Sequence, residues 1–245
     1  MSGKVIVVTG AAGAIGRATV DVLAREGAVV VAVDIAPAED LSVDLFVTCD
    51  LTDEQQVIGL YSDVMDRFGR IDGLFNNAGV ALGDDGSFLD VECEVFMRTL
   101  RINVESVLLC CKHGIPHVVA SGGGSVVNTS SLVASIGSAV SQIGYTASKG
   151  AVLAMSRELA VELARMGVRV NSLSPGPVES PLLDTLFTGE EVARRMVHVP
   201  TGRFSRANEI AEAAVFLLSD ASSNITGTDL KVDGGITAAY VTPES

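Results

Sequence analysis

The 245-residue chain lacks any run near the ~18 uninterrupted apolar residues of a membrane-spanning helix. It is short of positive charge. Seventeen Lys and Arg stand against thirty Asp and Glu, and the net charge of −13 argues against nucleic acid or an anionic membrane as partner. The first strand pattern begins by residue 4, which leaves no room for a signal peptide, so the sequence predicts a cytoplasmic protein. The four cysteines, Cys49, Cys93, Cys110 and Cys111, form no Cys-x-x-Cys pair and read as small buried hydrophobes. His113 and His117 are four apart, but Pro116 should disrupt a helix there and no ligand set accompanies them, so no metal site is expected. Asp84-Asp85-Gly86 lacks the alternating oxygen ligands of a calcium loop and reads as a turn.

With 48% hydrophobic residues, the chain has enough apolar material for one large α/β domain and too much for disorder. Val5 to Val8 suit a strand buried on both faces of a parallel sheet. Thr9 and Gly10 break it. Gly13 and Gly16 then open a helical pattern, with Ile15, Ala18, Thr19, Val22 and Leu23 on one face and Gly27 as the stop. Strand, glycine turn and helix together aim free N–H groups at a phosphate, although many turns are glycine-rich for steric reasons alone. A second strand, Val29 to Val33, ends at Asp34, 18 residues after Gly16. An acid near that distance meets the adenosine ribose hydroxyls and repels a 2′-phosphate. No Arg or Lys stands beside Asp34 or between Gly10 and Gly16, which favours NAD over NADP.

Further strands are expected at Leu45 to Cys49, Ile71 to Phe75, Ser125 to Thr129, Val168 to Leu173 and Thr228 to Val232. Thr52 with Gln55 resembles a capping box for a helix that carries Val57, Leu60, Tyr61, Val64 and Phe68 on one face. Phe96, Leu100, Asn103, Val107 and Cys111 fall on one helical stripe, interrupted by the polar Asn103. A long helix is expected from about Tyr145 to Arg165, and another from Glu209 to Leu218 with Ser205 as its cap. Strands alternating with helices predict an α/β fold: a Rossmann-like, doubly wound parallel sheet of about seven strands with helices on both faces. In such a sheet Asp34, Asp50, Asn76, Asn77, Ser130, Ser131 and Pro175 all follow strands, where ligands bind.

The discriminating stretch is Tyr145-Thr-Ala-Ser-Lys149. A spacing of four puts both side chains on one helix face. A phenol's pKa near ~10 is too high for ready proton exchange at neutral pH, and a nearby ammonium lowers it. Ser131 could hold a substrate oxygen beside Tyr145. A lone Tyr-x-x-x-Lys usually marks only a solvated helix face, so its weight comes from the company it keeps.

That company resembles the short-chain dehydrogenase/reductase family over nearly the whole chain. The matching pieces are Thr9-Gly10-Ala-Ala-Gly13-Ala14-Ile15-Gly16, Asp50-Leu51, Asn76-Asn77-Ala78-Gly79, Asn103, Ser130-Ser131, Tyr145 to Lys149, Asn171, Pro175-Gly176 and Asp233-Gly234-Gly235. The resemblance implies that Tyr145 is the general acid/base and that Lys149 binds the nicotinamide ribose and lowers the tyrosine's pKa. It implies further that Ser131 orients the substrate and Asn103 holds a water in the proton relay. Asp50 and Leu51 would meet the adenine, Asn77 with Ala78 and Gly79 would border the adenosine side, and Val178 would meet the carboxamide through its backbone. Three departures stand out. Ala14 occupies the place of the family's middle glycine. Ser131 and Tyr145 are 14 apart, one more than is commonest, which keeps Ser130 as a weaker candidate. Ser180 replaces the usual threonine after Pro175-Gly176.

A lid over about 178–204 is strongly apolar through Leu182, Leu183, Leu186, Phe187, Met196 and Val197, which suggests a secondary alcohol or ketone with an apolar portion as substrate. A 3-oxoacyl-thioester reductase is the nearest alternative, disfavoured by Asp34. A non-catalytic dinucleotide sensor is the alternative of another class, and such a protein should have lost Tyr145 or Lys149. In the long helix Val152, Met155 and Leu159 form one stripe and Ala147, Ala151 and Ala154 a second, small one. That predicts helix-to-helix packing between subunits, and the family resemblance implies a homotetramer. The tail 236–245 either docks on a neighbour or frays.

Overall fold

The computed structural model describes residues 1–38, 40–41, 43–179 and 189–238. Seven strands form one sheet: β1 (Val5–Thr9), β2 (Val29–Asp34), β3 (Leu45–Thr48), β4 (Gly73–Asn76), β5 (Gly124–Thr129), β6 (Val168–Pro175) and β7 (Asp229–Val232). Their order is β3-β2-β1-β4-β5-β6-β7, with every neighbouring pair parallel. The chain winds outward from β1 to β3, then returns to the other side of β1 with β4. The C-terminal ends of β1 and β4 therefore flank the point where the winding reverses, and a crevice opens there.

Alternation along β1 divides the core in two. Val5 and Val7 face one layer, built on α2 (Glu54–Phe68), α4 (Ser106–Ala120) and α5 (Ile143–Leu163). Ile6 and Val8 face the other, built on α1 (Ala14–Arg25) and α7 (Ala207–Leu218). Two more α-helices lie among the described residues: α3 (Cys93–Leu100), which runs into α4 through one π-helical turn (Arg101–Glu105), and α6 (Gly189–Met196). Among the described residues no helix is long and apolar enough to cross a membrane.

Several local expectations need correction. α2 is capped by Asp53, whose carboxylate accepts from the N–H of Gln55 and Gln56, and Thr52 instead donates to Asp50. α7 begins after Arg206, whose N–H is taken by the Glu209 carboxylate at 2.8 Å, so Ser205 is not its cap. β4 starts two residues late, at Gly73, directly after Asp72, whose N–H donates to the Val5 carbonyl and whose carboxylate accepts the Val5 N–H. Pro116 does not break its helix: Ile115 and Val118 are buried on either side of it, and packing outweighs the lost bond. Of the stripe expected from Phe96 to Cys111, Asn103, Val107 and Cys111 are buried across the π turn, while Phe96 and Leu100 are half-buried and Thr99 between them is buried. Cys93 opens α3 as an exposed thiol, unlike the three buried cysteines.

The turn after β1 is the tightest part of the fold. Gly10 has φ +65°, and a Cβ there would lie 2.8 Å from the Ala78 Cα. A Cβ on Gly16 would lie 2.1 Å from the Gly10 carbonyl oxygen. Ala14, by contrast, begins α1 with its methyl exposed, so the family's glycine is not sterically needed there. Gly16→Ala should lower stability by about 1–3 kcal/mol, the cost of forced overpacking. Ala14→Gly should cost at most about 1 kcal/mol. Urea midpoints of the two variants measure the difference, and equal midpoints would contradict this account of the turn.

Candidate active site

A cleft of about 880 Å³ lies over the C-terminal ends of the strands. Its walls contain Gly10, Gly13, Ala14 and Ile15 from the first turn, Asp34 from β2, and Asp50 with Leu51 after β3. Asn77, Ala78 and Gly79 follow β4 into the cleft, and Ser131, Tyr145, Lys149, Pro175, Gly176 and Val178 close it on the far side. Gly16 and Asn103 are not among its walls, and Ser180 falls outside the described residues, as does the 180–188 part of the expected lid.

The first turn is held from both ends. Thr9 Oγ1 accepts from the N–H of Asn77 and Ala78, and Asn77 Nδ2 donates to the carbonyls of Thr9 and Gly10. Asp34 Oδ2 accepts the Ala12 N–H at 2.9 Å, and its other oxygen accepts from Ala36. No side chain among the described residues caps the start of α1 at Gly13, so its first N–H groups have no side-chain partner. Asp50 folds back on Thr52, while Ile35, 68% exposed, offers an apolar surface beside the Asp34 carboxylate.

Tyr145 and Lys149 stand on the first turns of α5. Asp85 caps this helix from 60 residues away, accepting the N–H groups of Gly144 and Tyr145 at 2.9 and 2.7 Å. A Cβ on Gly144 would crowd both Asp85 oxygens at 3.3 Å, which explains glycine at that position. The turn expected here is present, with the Asp85 N–H on the Leu82 carbonyl, and the Asp85 side chain is in addition a long-range helix cap. Lys149 Nζ lies 5.6 Å from the Tyr145 ring centroid and donates to the Thr129 carbonyl at 2.9 Å. Ser130 Oγ donates to the Lys149 carbonyl, so it braces α5 and leaves Ser131 as the serine beside Tyr145.

Asn103 lies at the centre of the π turn. Its Oδ1 accepts from the Val80 N–H, and its Nδ2 donates to the Val80 carbonyl and to Ser148 Oγ. Ser148 Oγ in turn donates to the Tyr145 carbonyl at 2.7 Å. The Asn103 side chain thus clamps the loop after β4 to α5.

The electrostatics also depart from expectation. Burial raises the Tyr145 phenol above its ordinary pKa, and hydrogen bonding from Ser131, not Lys149, offsets part of that rise. Burial pushes the Lys149 ammonium down to about 8. The lysine remains mostly protonated at neutral pH, but with its charge poorly compensated.

The residues fit a nicotinamide dinucleotide. Thr129 Oγ1 is buried, lines the cleft and has no hydrogen-bond partner. A Cβ on Gly79 would approach Lys149 Nζ at 3.1 Å and Asn103 Oδ1 at 3.3 Å, so glycine keeps that approach open. At the far wall the Val178–Ser205 bridge uses the Pro177 carbonyl and the Glu179 N–H. Val178's own N–H and carbonyl are left turned away from Ser205.

Cleft residues missed in the sequence include Ala12, Ile35, Cys49, Arg98, Arg101, Ile102, Ser106 and Thr129. Only Thr129, directly before the two serines, carried a usable signal. Arg98 pairs with Asp84 at 2.6 Å. Arg17, one residue past Gly16, lies outside the stretch searched for a cation in the sequence, and its Nε donates to the carbonyl of Ala12, whose N–H is held by Asp34.

A family profile described as enoyl-(acyl carrier protein) reductase matches residues 10–237. The cis-4-hydroxycyclohexanecarboxylate dehydrogenase of Sinomonas cyclohexanicum is 39% identical over 244 residues, covering 96% of this chain and 97% of that protein. A 2,5-dichloro-2,5-cyclohexadiene-1,4-diol dehydrogenase of Sphingobium indicum is 39% identical over 251 residues, covering 97% and 98%. The crystal structure of levodione reductase superposes with a TM-score of 0.91 at 33% identity, covering 98% of this chain and 100% of that one. With this fold, this cleft and relatives matched along their whole length, the chain belongs to the short-chain dehydrogenase/reductase family, whose members are dehydrogenases and reductases dependent on a nicotinamide dinucleotide.

Proposed function

We propose that the protein is an NAD(H)-dependent oxidoreductase that interconverts a secondary alcohol and a ketone. The observation that carries this reading is the convergence of Ser131, Tyr145 and Lys149 on the cleft that also holds the glycine turn and Asp34. The bound dinucleotide supplies the hydride acceptor or donor. Ser131 holds the substrate oxygen, and the Tyr145 hydroxyl exchanges a proton with it. Lys149 carries the positive charge that steadies the phenolate, and its ammonium is the group placed to take the nicotinamide ribose. With the Asn103 side chain spent on Val80 and Ser148, a relay water would sit on the Asn103 main-chain carbonyl in the π turn. Asp34 favours NAD, because a carboxylate accepts hydrogen bonds from two ribose hydroxyls and repels a phosphate there.

A ring-bearing alcohol with an apolar portion is the preferred substrate class. Two relatives are named for cyclohexane or cyclohexadiene alcohols, and Met196 and Val197 keep an apolar stretch at the described end of the lid. A screen of cyclic and acyclic alcohols and of 3-oxoacyl thioesters, with NAD and NADP, separates this class from the thioester reductase. Tyr145→Phe should lower kcat by about 10²–10⁴ while NAD binding persists. Retained turnover in that variant would remove the tyrosine from the chemistry. Binding without turnover in the wild type across the whole panel would favour the sensor reading.

Lys149 should exact a stability cost that its removal reveals. Its pKa is lowered on folding from 10.5 to about 8, so below pH 8 the folded state holds a charge that it disfavours. Lys149→Met should therefore abolish turnover yet raise Tm near pH 7 by several degrees. The gap should close as pH rises from about 8 toward 10.5, where the folded wild type sheds the proton before the unfolded chain does. Thermal melts across that window test it, and a gap that widens with pH would have the wrong sign.

A homotetramer completes the proposal. The open flank of α5 carries half-buried Ala147 and Ala151, exposed Ala154, and Val161 at 81% exposure. Such small residues allow close helix approach between copies. Val161→Arg should shift the mass found by light scattering at micromolar concentration from tetramer to smaller species, and a wild-type monomer would end this part of the reading.

A further inference from the structure

Reading Asp34 as the ribose-facing carboxylate leaves a neighbouring cation without a role. Arg17 lies in the first turn of α1. Its Nε donates to the Ala12 carbonyl at 2.9 Å, while Asp34 Oδ2 accepts the N–H of the same Ala12, also at 2.9 Å. The two side chains bracket one residue of the glycine turn. The rest of the guanidinium forks onto Asp40, with contacts of 2.6 and 3.1 Å. Its strongest electrostatic partner is Asp40, with Asp34 and Asp21 adding weaker fields.

This pair is open to solvent, with side-chain exposures of 38% and 72%, so it contributes little to stability. Its importance is where it places charge. A planar guanidinium that grips a carboxylate with two donors can grip a phosphate monoester in the same way. A 2′-phosphate on the adenosine ribose would enter beside Asp34, which is separated from this guanidinium by the one residue that both bond, Ala12. As folded, Asp34 repels that phosphate and Asp40 already occupies the cation.

We propose that Arg17 is a masked receptor for a 2′-phosphate, and that Asp40, by occupying its guanidinium, is a second determinant confining the site to the unphosphorylated dinucleotide. This rests on the reading of the cleft as the dinucleotide site with Asp34 on the adenosine ribose. Asp34 acts by repulsion and Asp40 by withholding a partner. Neutralising Asp34 alone therefore removes the obstacle without supplying a grip.

The test is calorimetric titration with 5′-AMP, 2′,5′-ADP and NAD. The proteins are the wild type, Asp34→Asn, Asp34→Asn with Asp40→Asn, and that double variant with Arg17→Ala added. Going from the single to the double variant should tighten 2′,5′-ADP by about tenfold, the scale of a charge-assisted contact, with 5′-AMP little changed. Adding Arg17→Ala should cancel the gain, and raising salt from about 50 to 500 mM should erode it. No gain in a double variant that still binds 5′-AMP overturns the proposal, as does a gain that survives Arg17→Ala. If the wild type binds neither NAD nor 5′-AMP, the cleft reading itself fails and takes this inference with it. Asp40→Ser replaces Asp40→Asn should that variant not melt cooperatively.

Discussion

One buried ammonium organises the functional half of the molecule. Lys149 is 4% exposed, with a hydrogen bond to the Thr129 carbonyl and with burial lowering its pKa. A charge so placed costs free energy unless something else satisfies it. The surrounding structure is what keeps it there. Ser130 fastens the Lys149 carbonyl, Asp85 fastens the start of its helix, and Asn103 fastens Ser148 and Val80. The protein holds a poorly compensated cation in a rigid frame beside a phenol. The phenol itself is raised in pKa, so its readiness to ionise depends on what enters the cleft.

The first turn is rigid for a different reason. Gly10 and Gly16 are squeezed by neighbouring backbone, not relaxed for flexibility, and Asn77 ties the turn to the end of β4. The backbone of this turn is thereby fixed before any ligand arrives. The polar residues around Asp34, Arg17 and Asp40 decorate the rim of this fixed turn, so they can alter what binds there without altering the fold.

Most of the fold was legible because it follows from local pattern. Runs such as Val5 to Val8 and Val29 to Val33 are apolar at every position, as strands covered on both faces must be. Tyr145 and Lys149 were legible through their spacing, and Gly10, Gly16 and Asp34 through their place in one βαβ unit. What escaped is non-local. Asp85 looks like a turn residue until α5 arrives 60 residues later. Arg17 looks like a solvated helix position until Asp40 folds beside it. The π turn leaves no local mark, since Asn103 is buried only because Val80 and Ser148 satisfy its amide. Pro116 misled because packing on both sides of it outweighs one missing bond.

The Asp85 cap has a consequence for how such a protein can diversify. The segment between β4 and α3 holds Val80 through Asn103 and the α5 terminus through Asp85, so its length is constrained at two places. An insertion there would pull on the backbone of Tyr145 itself.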